Sequence, residues 1–298
     1  GILCSMKILL AIVHYWDPSG SGKHQSLRPN PAPRVEALEH QLMALRRLAH
    51  RQHLLHMADR AVYPCNEAYR NEITIRVITD GEHTVLDRLD PVYRQCFKEV
   101  VSSPDNGLML GFEAQDYLAS QMDQGYDLYG YLEDDLVISD PQFFQKLVWL
   151  QDTLSLEDLV LPQRVEFGLN PHPVDRFFID GPLDASELTK LHLEQRPLLV
   201  LKAPGGDVVF ETPKNPHSGC FFLSHQQLCH WRSQNHWLDR DISFISPLES
   251  AATLGISKAF KLLKPSFSHA SWLELQHWGT SFHCLIPVPA VKQAADDD

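Results

Sequence analysis

The chain has 298 residues, 44% hydrophobic and 21% charged, enough for a sizeable core in one large α/β domain or two smaller ones. Its formal net charge of −12 excludes a non-specific nucleic-acid binder, which needs a basic footprint, and requires that any anionic substrate be met by local cations or a metal. The cysteines at 4, 65, 96, 220, 229 and 284 include no C-x-x-C pair, the pattern of a reduced, cytoplasmic chain and not of a disulfide framework or a structural zinc site.

Residues 1–5 are expected to be left over from recombinant expression, with Met6 the natural start. Residues 6–16 read as a buried strand whose apolar run is too short to cross a bilayer and which ends at His14, Tyr15 and Asp17. A loop rich in Gly, Ser and Pro follows over 18–33. Its segment DPSGSGKHQS fails as a phosphate loop, because Asp17 stands where the first Gly belongs and His24 where Ser or Thr belongs. Lys23 still follows a strand, within reach of an anion at the sheet's carboxyl edge. Residues 34–56 are predicted as an amphipathic helix on the spacing of Val35, Leu38, Leu42, Leu45 and Leu48, with His50, His53 and His56 on its solvated end. Residues 73–79, ITIRVIT, alternate and are β-branched, which predicts a strand. Asp80-Gly81 ends it, so Asp80 is a turn residue, a ligand contact, or both. A helix is expected over 112–124.

The segment 127–140, DLYGYLEDDLVISD, comes next. An apolar run drives into Glu133, Asp134 and Asp135, and a second apolar run resumes at once. Three adjacent anions at the end of a core strand repel one another unless water or a cation compensates them. Hard carboxylate oxygens suit Mg²⁺ or Mn²⁺. A helix over 141–150 is expected to take Asp140 as N-cap and Pro141 as its first residue.

The second half is richer in strands. LLVLKAP and DVVFETP flank Gly205-Gly206 as a hairpin, and CFFLS is a short strand. Ser224 to Gln227 reads as a capping box opening a helix through Trp231, and Ser246 to Glu249 as a second one opening a helix to about Leu254. There, Glu249 fits either a local cap or a general base. AFKLLKP predicts a strand, and His269 and His277 follow it in KPSFSHASWLELQHWG, where either imidazole would make a sensible further metal ligand. The expected fold is one α/β domain over 6–298, with a mostly parallel central sheet flanked by helices. Residues 6–150 would form a nucleotide-binding half and 151–298 a more mixed, β-rich acceptor-side half.

With these residues in view, the chain resembles the GT-A-fold glycosyltransferases. YLEDDLVI is similar to the family's strand ending in a DXD-type motif, with Glu133 in place of the first Asp. SPLESAATLGI resembles the later helix bearing an acidic acceptor-side residue, here Glu249. FSHASWLELQHWG resembles the late segment that often supplies a metal-binding His. The resemblance implies a Mn²⁺- or Mg²⁺-dependent transfer of sugar from a nucleotide-diphosphate donor to an acceptor hydroxyl. It implies metal ligands among Asp135, Glu133, His269 and His277, with either Glu133 or Asp134 joining Asp135. His14, Tyr15, Asp80 and Asp134 would face the donor, Lys23, Arg34 and Arg164 would be phosphate partners, and Glu249 would be the base. A nucleotidyltransferase on a related fold, which would want a glycine-rich basic loop such as the partial GSGK, and a non-catalytic sugar- or nucleotide-binding module remain the alternatives.

Overall fold

The computed structural model describes residues 5–20, 27–49, 51–168 and 175–286. Its centre is a five-stranded sheet built from β1 (Met6–Val13), β4 (Asn71–Thr79), β5 (Lys98–Val101), β6 (Leu128–Glu133) and β13 (Cys220–Leu223). The spatial order is β13-β6-β1-β4-β5. Neighbours run parallel except β13, which is antiparallel to β6.

Period-two alternation decides what each face touches. From β1, Ile8, Leu10 and Ile12 join Leu38, Leu42 and Leu45 of α1 (Ala32–Ala49) in one core. Leu9, Ala11 and Val13 join Phe112 and Leu118 of α3 (Leu110–Ser120) in the other. Every one of the β1 residues from Ile8 to Ile12 is fully buried, as a strand covered on both faces must be. Short helical turns, α2 (Pro91–Arg94) and α5 (Ala185–Leu188), punctuate the connections.

Two mixed four-stranded sheets carry the second half. One orders β10 (Arg176–Phe178), β9 (Gln163–Phe167), β15 (Glu274–His277) and β7 (Leu136–Val137); the other orders β11 (Leu199–Ala203), β12 (Gly206–Glu211), β14 (Lys261–Pro265) and β8 (Asp158–Val160). The expected hairpin is β11–β12. The mixed α/β class, with its parallel-rich centre and β-rich second half, is therefore the one observed. No described helix is long and apolar enough to cross a membrane.

Several boundaries move. The helix expected to reach residue 56 stops at Ala49, because its apolar period ends at Leu48; residues 52–56 instead form β2 (Gln52–His56), paired with β3 (Ala61–Cys65). His53 and His56 are exposed on that hairpin, and His50 lies outside the described residues. Asp140 does not cap the next helix. Its carboxylate accepts from Gln142 N–H in a local turn and binds Lys146, and α4 (Phe143–Thr153) starts later. The Ser224–Gln227 capping box forms as expected and opens α6 (His225–Arg232). The Ser246 box does not: Ser246 makes no side-chain cap, and α7 (Pro247–Glu249) runs directly into a π-helical turn, Ser250–Leu254, before α8 (Gly255–Ala259).

Candidate active site

Parallel register builds the site. Val13 of β1 lies opposite Glu133 of β6 and Ile78 of β4, so His14, Asp134 and Thr79 end their strands side by side at the carboxyl edge. Open α/β sheets hold their ligands at this edge. Alternation then sends the three carboxylates different ways. Glu133 shares the face of Tyr129 and Tyr131, which lie in the α3 core, and Asp134 turns toward α1.

Asp134 is fully engaged. One oxygen accepts from Arg34 Nη1 at 2.5 Å, and the other lies 2.7 Å from His14 Nδ1. His14 Nε2 accepts from Val85 N–H at 3.0 Å, which leaves the ring proton on Nδ1 to donate to Asp134. His14 is completely buried, so it ties β1 to β6 and offers no free nitrogen. Arg34 also reaches Asp135 Oδ2 at 3.4 Å. Its guanidinium is thus committed to two carboxylates and does not extend as a lone surface charge.

Asp135 is placed differently. Its Oδ2 lies 3.3 Å from His277 Nε2, while its Oδ1 is buried without a hydrogen-bond partner. Burial opposes its ionised form, but His277, Arg34 and Arg164 together hold its carboxyl below the usual range. Burial, reinforced by Asp135, pushes Glu133 up to about 8. His277 goes the other way. Despite its burial, the Asp135 and Glu166 carboxylates raise it to about 9, so the imidazole carries a proton between two anions.

Glu166, absent from the sequence-based candidates, pins this arrangement. Its fully buried carboxylate accepts from His277 Nδ1, from the backbone N–H of Phe282 and of His283, and from His283 Nδ1, at 2.8–3.2 Å. Trp278 N–H donates to the Asp135 carbonyl, and the Trp278 ring stacks on His40 at 3.7 Å. The segment after β15 is thereby strapped across Asp135. In the sequence, Glu166 is one acid in an ordinary strand, and only the β9–β15 pairing reveals its position.

Arg164 lies beneath the carboxylates, where its fork binds Asp180 bidentately and Lys264 Nζ shares the same acid at 3.2 Å. Both cations are buried, and Arg164 faces Glu133 and Asp135 electrostatically. His217 also escaped the sequence-based candidates. Its Nδ1 pairs with Thr253 Oγ1 at 2.8 Å and its Nε2 lies 3.9 Å from Glu133.

The π turn sets Glu249 nearby. Its Oε2 is buried with no hydrogen-bond partner, and its charge is felt by both Glu133 and Tyr131. With no capping box to use it, Glu249 has no local role to explain its placement. π turns of this kind frequently occur at functional sites.

The remaining candidates separate. Asp80 accepts from the backbone N–H of Glu82 and His83 and lies 2.6 Å from His83 Nδ1, so it is a turn residue at the end of β4. Tyr15 sits beside it, its ring 5.4 Å from His83 and packed so closely on Gly107 that a Cβ there would collide with Cε2. His269 bonds Ser266 and Ser268, while His277 is the late histidine brought to the acidic cluster. Lys23 lies outside the described residues.

A divalent ion fits the donor chemistry in part. Asp135 Oδ1 is an orphaned hard oxygen, and Glu133 is a carboxylate whose burial and Asp135 neighbour outweigh the Arg164 and His277 cations. Among the described residues no three His, Cys, Asp or Glu side chains converge closely enough to hold an ion alone. The protein would supply two carboxylates and leave the other positions to water or substrate, as Mg²⁺ sites on phosphate substrates do.

No protein-family model matches the chain, and no curated protein matches it. Among solved structures, it is similar to mannose-1-phosphate geranyltransferase from Thermus thermophilus at 13% identity and TM-score 0.40, over 87% of this chain and 73% of that one. It is also similar to CMP:2-keto-3-deoxy-manno-octonic acid synthetase complexed with CTP, at 13% identity and TM-score 0.36, over 91% and 90%. Both TM-scores lie below 0.5, so the activities named for those proteins are not carried over to this chain.

Proposed function

We propose that the chain is a metal-dependent glycosyltransferase of the GT-A type, moving a sugar from a nucleotide-diphosphate donor to an acceptor hydroxyl. The observation that carries this reading is the carboxylate pair at the end of β6: Asp135, whose buried Oδ1 has no hydrogen-bond partner although Oδ2 meets His277 and Arg34, and Glu133, raised to about 8. An orphaned carboxylate oxygen beside an acid disfavoured in its ionised form, at a ligand-binding sheet edge, is an arrangement that a divalent ion would relieve. Asp135 and Glu133 are the residues that would hold Mn²⁺ or Mg²⁺, since both oxygens of Asp134 are already used. Bound there, the ion would offset the charge growing on the departing diphosphate.

The other roles follow from position. Asp134, through His14 and Arg34, fixes the turn that presents Asp135. Tyr15 and Asp80, at the ends of β1 and β4, flank the space for the nucleoside. His277, held by Glu166, gives Asp135 a cationic neighbour beside the place where an ion would be held. Glu249 is the base for the acceptor hydroxyl.

The base assignment has a direct test. Glu249→Gln preserves shape and removes the proton acceptor, so it should lower transfer by roughly 10²–10⁴-fold while donor affinity, read by calorimetry, stays within experimental error. Retained turnover would remove Glu249 from the mechanism. The product separates this reading from nucleotidyl transfer: a glycosyltransferase releases nucleoside diphosphate, a nucleotidyltransferase pyrophosphate.

A further inference from the structure

Met122, His225 and Cys229 meet at the amino edge of the central sheet, at the opposite end of β6 from the carboxylates. Leu223, the last residue of β13, pairs with Tyr129 near the start of β6, so α6 begins beside the turn Met122–Gln124 that precedes β6. The capping box at Ser224 fixes where α6 starts, and the i, i+4 spacing then puts His225 and Cys229 on one face. Cys229 Sγ lies 3.4 Å from His225 Nε2 and 3.5 Å from Met122 Sδ. Met122 and Cys229 are half-buried and His225 is exposed, so the group opens to solvent on its imidazole side.

His225 is held in one tautomer. Its Nδ1 lies 3.0 Å from the Met122 carbonyl, which can only accept, so Nδ1 carries the proton. In the neutral ring Nε2 then keeps its lone pair beside the thiol. Metal-binding histidines are oriented in this way, with the second ring nitrogen donating to a backbone carbonyl. The Tyr129 hydroxyl donates to the same carbonyl at 2.8 Å, which steadies the turn bearing the thioether. The Cys229 thiol has one proton and two acceptors, Nε2 and Sδ, and cannot serve both. A metal ion in the place of that proton would bond all three atoms. Atoms bonded to one ion at about 2.0–2.3 Å stand about 3.5–4.0 Å apart, so the present spacings need widen only slightly. Cys96 gives the contrast: its sulfur meets Arg46 Nη1 at 3.3 Å and the Val92 carbonyl, neither of them a soft ligand.

The donor set selects the ion. Structural Zn²⁺ takes four ligands from Cys, His and carboxylates, and no three such side chains are gathered among the described residues. A thiolate and a thioether beside one imidazole make a soft set, which favours Cu(I). We propose that Cys229, Met122 and His225 form a three-coordinate Cu(I) site, separate from the hard carboxylate oxygens of Asp135 and Glu133. Binding exchanges the thiol proton for the ion: the S–H bond breaks, an S–Cu bond forms, one H⁺ leaves, and nothing is oxidised or reduced.

The test is anaerobic titration of the full chain with Cu(I) in competition with the chromogenic chelator bicinchoninate, alongside X-ray absorption of the copper-loaded protein. One Cu(I) per chain should be withheld from the chelator, and its inner shell should hold two sulfurs and one nitrogen. Met122→Leu, which keeps the size of the side chain, and His225→Gln, at an exposed position, should each weaken binding by at least the roughly 10–100-fold that loss of an outer-shell group costs. Cys229→Ser should abolish it, with the circular dichroism of the metal-free chain unchanged in all three variants. Release of all the copper to the chelator overturns the inference. So does retention that ignores Met122→Leu and His225→Gln, or that survives Cys229→Ser, since the ion would then sit on a thiol alone or on another cysteine. The absorption spectrum needs no variant, and a shell with no nitrogen or a single sulfur would equally overturn it.

Discussion

Asp135→Asn is expected to abolish metal-dependent donor binding and to cut transfer on the order of a thousandfold, since a metal's charge stabilisation is worth several kcal/mol. The substitution keeps the side chain's size and its contact with Arg34 but removes the anion that would hold the ion. It should leave a second signature without any metal. Glu133 is raised to about 8 by burial and by Asp135, so the folded state binds that proton more tightly than the unfolded chain does. Its contribution to stability is therefore complete below the ordinary carboxylate value of 4.5 and is lost as pH rises toward 8. Removing the Asp135 charge should shrink this loss, leaving the part due to burial. Thermal melts of metal-free wild type and variant across the window from pH 4.5 to about 8 check it: the wild-type curve should fall more steeply. Parallel curves would mean that the two carboxylates do not interact.

Asp180→Asn should be the most destabilising single change at the site, at about 3–5 kcal/mol. Asp180 is 2% exposed and is the shared anion of Arg164 and Lys264, both almost completely buried. Neutralising it strands two cations in the interior, and neither can reach water. A surface acid gives the contrast. Asp241 binds Lys258 with about a third of its side chain exposed, and its loss should cost no more than about 1 kcal/mol. The pH dependence has a definite sign. Burial works against ionised Asp180, but Arg164 and Lys264 outweigh it and depress the carboxyl, so its stabilisation is present above the ordinary value of 3.8 and fades as the pH falls through the depressed one. Denaturant titrations of both variants at neutral pH measure the difference. Equal, small effects would mean that the buried triad is relaxed by water.

The fold was legible wherever a period was strong. The continuous apolar run of β1, the alternation of β4, the leucine spacing of α1 up to Leu48, and the Gly205-Gly206 turn each found their element. The acidic segment was legible as a strand end because its apolar flanks bury on both sides. Partnership was not legible. Nothing in the spacing of residues 14, 34 and 134 says that His14 and Arg34 would divide the oxygens of Asp134 between them; that depends on the register of β1 against β6 and on the packing of α1. Glu166 and His217 escaped for the same reason, since each matters through residues more than 35 positions away in sequence. The Ser246 box misled because a Ser-Pro-x-Glu pattern is equally compatible with a helix that opens into a π turn. There, Glu249 faces the site and not its own backbone.

The central claim rests on a metal and a nucleotide diphosphate meeting at Asp135 and Glu133. Its most direct measurement is the thermal stability of the wild-type chain with Mn²⁺, with UDP- and GDP-linked sugars, and with both together, repeated for Asp135→Asn. The predicted result is a rise in melting temperature that needs metal and nucleotide together, appears with one nucleotide class, and vanishes in the variant. A chain whose melting temperature ignores every such combination, or whose response is the same in Asp135→Asn, would contradict it.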